Sequence, residues 1–337
     1  MAKTAGAEGG SAPASPVLEL QRVRRAGSER PPAAVDVVIP TRERPQRLAP
    51  LLDDLRQQDA AVASIVIVDD SAQPAAWERA FPDLPIQTVH PRPRAYISRA
   101  KNIGWKVGRA EFVAFVDDDN RLPSSLLREL SDDLRAHPTW GAVMPAVIYH
   151  RRPDLVWVYA TPFQPDRWSF RLVGRNAERD PNLESAPLPT DALPNLSVVR
   201  RPVLEEVSGF DESFPVNSSA DLCQRIKLAG WEAWSDPRVH TEHDVEPPGV
   251  PGYWAEHTYR DGRRLELEVA DWIRFQRRWN RSGRFFRVRA GYHALGFVVP
   301  HLLAVAMRAP GRLPSHCARA LAGFRGGLVT ESSIIDR

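Results

Sequence analysis

The stretch Glu111 to Pro123, EFVAFVDDDNRLP, runs an apolar segment directly into three successive aspartates. Adjacent carboxylates repel one another and resist dehydration, so packing gives no reason to gather them at the end of a buried strand. In an extended chain alternate side chains share a face, which aims Asp117 and Asp119 one way and Asp118 another. Two hard carboxylates at that spacing suit a divalent cation, Mn²⁺ or Mg²⁺, with phosphate oxygens completing its shell. Bridging a diphosphate, such an ion stabilises the charge that develops on a leaving group. The competing account is a solvated loop in which Asp119 or Asn120 caps the next segment of chain.

The same pattern of strand then acid occurs earlier. AVDVVIP reads as a first strand ended by Pro40, and RPQRLAPLLDDLRQQ as a helix with Leu48, Leu51, Leu52 and Leu55 on one face. ASIVIVDDS is a second strand, finishing at Asp69 and Asp70. A short strand at IQTVH and a helix within ISRAKNIGWKVGR lead to the strand that carries the triple aspartate. Val- and Ile-rich strands separated by helices predict an α/β fold, a mainly parallel central sheet flanked by helices. Ligands of such sheets gather beyond the carboxyl ends of the strands, where all these acids fall. Further on come a helix at PSSLLRELSDDLRAH and a strand at GAVMPAVIY, then about forty Trp- and Pro-rich residues that suit hairpins or loops over a cleft. SADLCQRIKLAGW restores helical spacing through Leu222, Ile226 and Leu228, with Gly230 as the stop. LELEVADWIRFQRRW places Leu265, Val269, Trp272, Ile273 and Trp279 on one stripe. Neither GxGxxG nor GxxxxGK occurs.

Composition narrows the class. With 43 % hydrophobic and 26 % charged residues, the chain has the content of a soluble globular protein. Residues 1–34 read as a disordered leader without a signal-peptide core. Only Cys223 and Cys317 are present, so the expected setting is a reducing cytoplasm, with Cys223 buried and inert. Net charge is +3, yet Arg260 to Arg312 holds twelve arginines against four acids. That regional charge suits phosphates or an anionic membrane surface; nucleic acid is disfavoured because no recognised module accompanies it. The longest apolar run, GFVVPHLLAVAM, is interrupted by Pro300 and His301 and falls short of the roughly 20 residues that span a bilayer. Its basic flanks suit peripheral membrane contact at the inner face of the membrane, a dimer contact, or simply core.

Five segments together resemble a family 2 glycosyltransferase with the GT-A fold, over Val35 to Asp244. They are VVIPTRERPQRL, IVIVDDS, SRAKNIGWKVGRAEFVAFVDDDNRLP, NLSVVRRPVLEEVSGFDESF and DLCQRIKLAGWEAWSDPRVH. The resemblance implies a Rossmann-like GT-A domain with a nucleotide-sugar half at 35–135 and an acceptor half at 136–247. A helical C-terminal extension at 248–325 and a flexible tail at 326–337 would complete the chain. It implies a nucleotide-diphosphate sugar donor, uridine being the default base, and a saccharide, lipid-linked or small natural-product acceptor. Pro40 and Thr41 would lie beside the nucleotide, Asp70 would recognise base or ribose, and Arg99 and Asn102 would lie near the donor. Asp117 and Asp119 match the outer residues of the DxD motif. His240, after the last sheet strand, is the better match for a histidine near metal or diphosphate, ahead of His243. Gly209 and Phe210 match an acceptor-side segment, with Phe210 offering a surface to a sugar ring.

One element of the pattern is missing. Inverting transfer needs a base for the acceptor hydroxyl proton, and the acidic pair of the family falls at Ser218 and Ser219. Asp221 or Asp211 could take over, the acceptor could bring a more acidic nucleophile, or the chain could be a noncatalytic nucleotide-sugar-binding protein.

Overall fold

The computed structural model describes residues 33–249, 262–280 and 285–329. The predicted leader therefore lies outside the described residues up to position 32, as does the predicted tail from position 330.

The first strand, β1 (Ala34–Thr41), alternates as its sequence demands. Val35, Val37 and Ile39 meet Leu48, Leu51, Leu52 and Leu55 of helix α1 (Pro45–Arg56). Val38 faces the opposite layer with Trp105 and Phe115. Each fully buried leucine contributes roughly 1.5–3 kcal/mol to this layer. Chain order continues through β2 (Ala61–Asp69), the short α2 (Trp77–Ala80), β3 (Ile86–Val89), α3 (Tyr96–Trp105), β4 (Phe112–Val116), β5 (Asn120–Arg121), α4 (Leu126–Ala136) and β6 (Trp140–Tyr149). Then come β7 (Arg152–Val158), the β8 (Phe163–Gln164) and β9 (Ser169–Phe170) hairpin, β10 (Leu188–Pro189), β11 (Leu196–Arg200), α5 (Arg201–Glu206), α6 (Ser218–Leu228) and β12 (Glu232–His243).

The main sheet is mixed, in the order β10-β12-β6-β11-β4-β1-β2-β3, with β5 on β12 and β7 on β6. Its first-half strands β4, β1, β2 and β3 are mutually parallel, and β6 pairs parallel with β12. Strand β11 enters antiparallel between β4 and β6. Register brings Thr41 opposite Asp69, and β4 ends one residue before Asp117. The acids thus share one sheet edge, as the order of elements predicts.

Three helices close the described chain: α7 (Gly262–Trp279), α8 (Phe286–Arg308) and α9 (Leu313–Leu328). Leu265, Val269 and Ile273 form the core of this bundle with Val298 and Ala320. Three expectations are corrected here. Leu228 is 77 % exposed, because α6 ends there and Gly230, at φ +86°, turns the chain away. Helix α8 runs for 23 residues straight through Pro300, so the apolar run is not broken. A proline inside a helix removes one backbone donor and crowds the carbonyl of the residue four before it, here Gly296, yet the helix continues on both sides of Pro300. By length and composition alone the helix could cross a membrane. Helix α9 also runs to Leu328, past the tail boundary drawn at 325.

The bundle is fastened to the sheet domain by buried polar groups. Asp271 of α7 accepts the backbone N–H groups of Val216 and Asn217, at 3.0 and 2.9 Å, and so caps α6 from outside. Asp221 of α6 receives Arg278 Nη1 at 2.8 Å and Trp279 Nε1 at 3.0 Å.

Candidate functional site

Strand β4 ends at Val116, and Asp117 to Asn120 form a turn closed by the Asn120 N–H on the Asp117 carbonyl at 3.3 Å. Strand alternation therefore does not carry into the acids, and Asp118 does not point away. Its carboxylate accepts Thr41 Oγ1 at 2.7 Å and Arg44 Nη1 at 3.2 Å. Asp119 accepts Arg44 at 3.1 Å and Arg47 at 3.3 Å, while its other oxygen lies 3.3 Å from His243 Nε2. Asp117, whose side chain remains 40 % exposed, lies 3.8 Å from Lys101 Nζ. One turn thus collects three carboxylates, and the loop after β1, helix α3 and the end of β12 supply their counter-charges.

The electrostatics separate the three. Burial pushes Asp118 up to about 6, helped by the neighbouring Asp119 charge. Burial also opposes the charge on Asp119, but His243, Arg44 and Arg47 outweigh it and hold the group below the usual carboxylate range. Desolvation in the cleft raises Asp117 against the pull of Lys101. Asp119 is the carboxylate most firmly held ionised, and Asp117 the most accessible.

Among the described residues, no three carboxylate, imidazole or thiol groups converge on one point as a finished metal cage. The donor set fits an ion that keeps part of its shell for other oxygens. Asp117 and Asp119 supply hard ligands, and His243 Nδ1 is buried without a hydrogen-bond partner among the described residues. A cation bound through one or two carboxylates plus phosphate oxygens requires no more than that. Beside the cluster, Thr41, Arg44, Asp69, Ser71, Gln73 and Trp77 line a recess of about 80 Å³.

Thr41 and Asp117 to Asp119 lie together, Asp118 included, with Pro40 half-buried next to Thr41. Others are used elsewhere. Asp70 accepts the N–H groups of Ala95 and Tyr96, each near 3.0 Å, which makes it the cap of α3, and Asp69 takes its place at the recess. Arg99 reaches the Pro93 carbonyl at 3.4 Å. Asn102 donates to the Phe210 carbonyl at 2.8 Å and accepts the Phe210 N–H at 2.9 Å, clamping that turn rather than facing a donor. Gly209 adopts φ +67° inside the clamp, and a Cβ there would meet Asn102 Oδ1 at 2.6 Å. Phe210 is 4 % exposed and packs edge-on against Phe115, so it is core and not an open platform.

The acids considered as bases are also occupied. Asp221 is fully buried between Arg225, Arg278 and Trp279. Asp211 pairs with Arg278 at 2.6 Å. Burial works against its charge, but Arg278 and the Ser213 contacts prevail and lower it, which weakens it as a base. Ser219 is partly exposed on the first turn of α6. His240 does not reach the aspartates: it lies on the side of Arg179, Glu184 and Glu242, and burial lowers it. His243 takes the place foreseen for His240. Cys223 is buried, and burial raises its thiol, as expected of an inert core cysteine.

The sequence reading passed over Arg44, Lys101 and Asn195. Asn195 is 5 % exposed at φ +70°, its carbonyl accepts the Asp117 N–H at 3.0 Å, and neither side-chain amide atom has a partner among the described residues. A polar asparagine held in a left-handed conformation against the acidic turn is a signal that only the fold reveals.

Residues 36–207, just over half of the 337, match the model for glycosyl transferase family 2. The pre-mycofactocin glycosyltransferase of Mycobacterium tuberculosis, in both strains compared, is 27 % identical over 221 residues, covering 64 % of this chain and 44 % of that protein. The chain thus spans less than half the length of these relatives. Among solved structures, a mannosyltransferase from Pyrobaculum calidifontis, in complex with GDP-Man and Mn²⁺, superimposes with a TM-score of 0.53 at 18 % identity, covering 90 % of this chain and 89 % of that one. GalNAc-T7 with UDP, GalNAc and Mn²⁺ gives 0.52 at 14 % identity, covering 79 % and 58 %.

Proposed function

The chain belongs to glycosyl transferase family 2, and from that premise we propose that it transfers a hexose from a nucleotide-diphosphate sugar to an acceptor hydroxyl with inversion. The observation that carries this reading is the turn at Asp117 to Asp119, with His243, Lys101 and Arg44 around it at the edge of the recess. Asp119 and Asp117 would hold a divalent ion, Mn²⁺ or Mg²⁺, with His243 beside them, and the ion would supply charge stabilisation to the departing diphosphate. The Mn²⁺ and nucleotides in the two structural neighbours support a divalent ion and a nucleotide donor. They leave guanosine and uridine both in play, uridine being the default.

The protein's own groups account for holding the donor. Thr41 and Arg44 fix Asp118 and bring positive charge to the recess, and Lys101 adds a second cation next to Asp117. The half-exposed Asp117 faces the solvent from which a donor arrives. Acceptor deprotonation is the step for which both acids considered as bases are engaged, since Asp221 is buried and Asp211 paired. Turnover then favours an acceptor hydroxyl that is already acidic or assisted by a phosphate of its own. The same observation favours the second reading, a nucleotide-sugar-binding protein without transfer.

Purified protein incubated with a panel of nucleotide-diphosphate sugars and acceptors, with Mn²⁺, Mg²⁺ or chelator, separates the two. Metal-dependent release of nucleoside diphosphate, with a product of matching mass and inverted anomeric configuration, is expected. Donor binding without release across the panel favours the binding protein, and absence of donor binding defeats both.

A further inference from the structure

Helix α8 presents a face that the other described residues do not cover. Val288, Tyr292, Leu295, Val299, Leu303 and Met307 are between 42 % and 78 % exposed. Steps of three or four residues place them on one arc of about 120° along the whole helix. The opposite face, with Ala290, Ala294, Val298 and Ala304, is buried, and Val298 packs among Leu265, Ile273 and Ala320 of the neighbouring helices. An apolar stripe of this extent on an ordinary surface marks a contact site.

Charge identifies the partner. From Trp272 to Thr330 the sequence contains eleven arginines and not one aspartate or glutamate. Arg287, Arg312 and Arg325 are exposed and have no carboxylate partner among the described residues. Arg287 adjoins Val288 at one end of the stripe, and Arg312 lies just beyond its other end. We propose that this face docks into the headgroup region of an anionic lipid bilayer, with α8 lying in the plane of the surface. Apolar side chains enter the acyl boundary while arginines meet lipid phosphates, the combination by which in-plane helices bind.

Two other arrangements fit less well. At 23 residues, with a mean hydropathy of 1.4 over an 18-residue stretch, α8 has the length and composition to span a bilayer. Spanning, however, would strip its buried face from α7, whose exposed side carries charges such as the Arg264–Glu268 pair. A second copy of this chain on the stripe would bring Arg287 and Arg312, which have no carboxylate partner among the described residues, against their own copies, and these repel.

The test uses the whole chain and needs no nucleotide, so its outcome is separate from that for sugar transfer. Flotation with phosphatidylcholine vesicles, with and without phosphatidylglycerol, is read at low and high salt. The anionic vesicles should capture the protein about tenfold better than neutral ones, and salt should weaken capture. Leu295→Glu with Leu303→Glu, both exposed positions, should keep the unfolding temperature and abolish capture, and an alkaline wash should release bound wild type. No capture by anionic vesicles at low salt overturns the proposal. Undiminished capture of the double variant overturns it as well, and retention after the wash overturns the in-plane arrangement. A dimer in sedimentation velocity that the double variant disperses, without vesicle capture, assigns the face to a second copy and overturns it too.

Discussion

Asp119 shares its oxygens among His243, Arg44 and Arg47, which makes it the residue at which the donor reading is most exposed to test. Asp119→Asn should lower Mn²⁺-dependent affinity for a nucleoside diphosphate at least tenfold by calorimetry, a loss of about 1.4 kcal/mol. Asp118→Asn keeps an acceptor for Thr41 and should lose less; equal losses, or none, would refute the division of labour. Asn195→Gly preserves the left-handed backbone and removes the amide, so a drop in turnover of about tenfold with unchanged thermal stability is expected if that amide faces the substrate. Unaltered kinetics would leave Asn195 a backbone device only. The missing base predicts that Ser219→Asp raises the rate with a plain sugar-hydroxyl acceptor, measured as product formed per enzyme, because it restores a proton acceptor at the position the family uses. The acidic cluster was legible in the sequence because an apolar strand ending in three acids has few purely structural uses. The choice between His240 and His243 was not legible. A break in register between Asp236 and His240 alters the parity of β12, and strand alternation cannot be counted across a bulge.

The strands and helices of the sheet were legible because their apolar periods are strong, from Leu48 to Leu55 in α1 and from Val35 to Ile39 in β1. What the periods conceal is how the ends of elements are satisfied. Asp70, Asn102 and Asp221 read as site residues because the resemblance puts them at or beside positions the family uses, yet each has its hydrogen bonds filled from within the fold. Asp271 is the clearest case, a cap supplied to α6 by a helix more than forty residues away. Burial pushes its carboxyl up to about 7 in spite of two backbone N–H groups and Arg274. The folded value lies above the unfolded one, near 3.9, so the charged form is disfavoured by folding. The associated stability is fully present below about pH 4 and is lost as pH rises through 7. Wild-type unfolding temperature should therefore fall across that window relative to Asp271→Asn, which has no charge to desolvate; parallel profiles of the two proteins would show that Asp271 does not titrate there. The clamp around Gly209 makes a matching prediction. Gly209→Ala combines a left-handed φ with a contact of 2.6 Å and should destabilise by about 1–3 kcal/mol in denaturant unfolding.

At the scale of the molecule, the sheet strands and the C-terminal helices are tied together by side chains that no periodicity in the sequence reveals. Arg278 and Trp279 complete the hydrogen bonding of Asp221, and Asp271 completes that of α6, so the two parts share buried polar groups. Removing one partner of a buried charged pair costs about 3–5 kcal/mol. Truncation after Gly249 should accordingly leave a protein that fails to accumulate in soluble form or unfolds well below the full chain, as scanning fluorimetry would register. A truncated chain as stable as the full one would show the shared groups to be dispensable. The fastening at Asp271 and Arg278 also has a consequence for engineering. The bundle is not an exchangeable cassette, since both side chains terminate inside the neighbouring unit. A chimera carrying a foreign C-terminal region would inherit an uncapped α6 and an orphaned Asp221. Grafting would succeed only where the new helix brings a carboxylate and a guanidinium to the same two points.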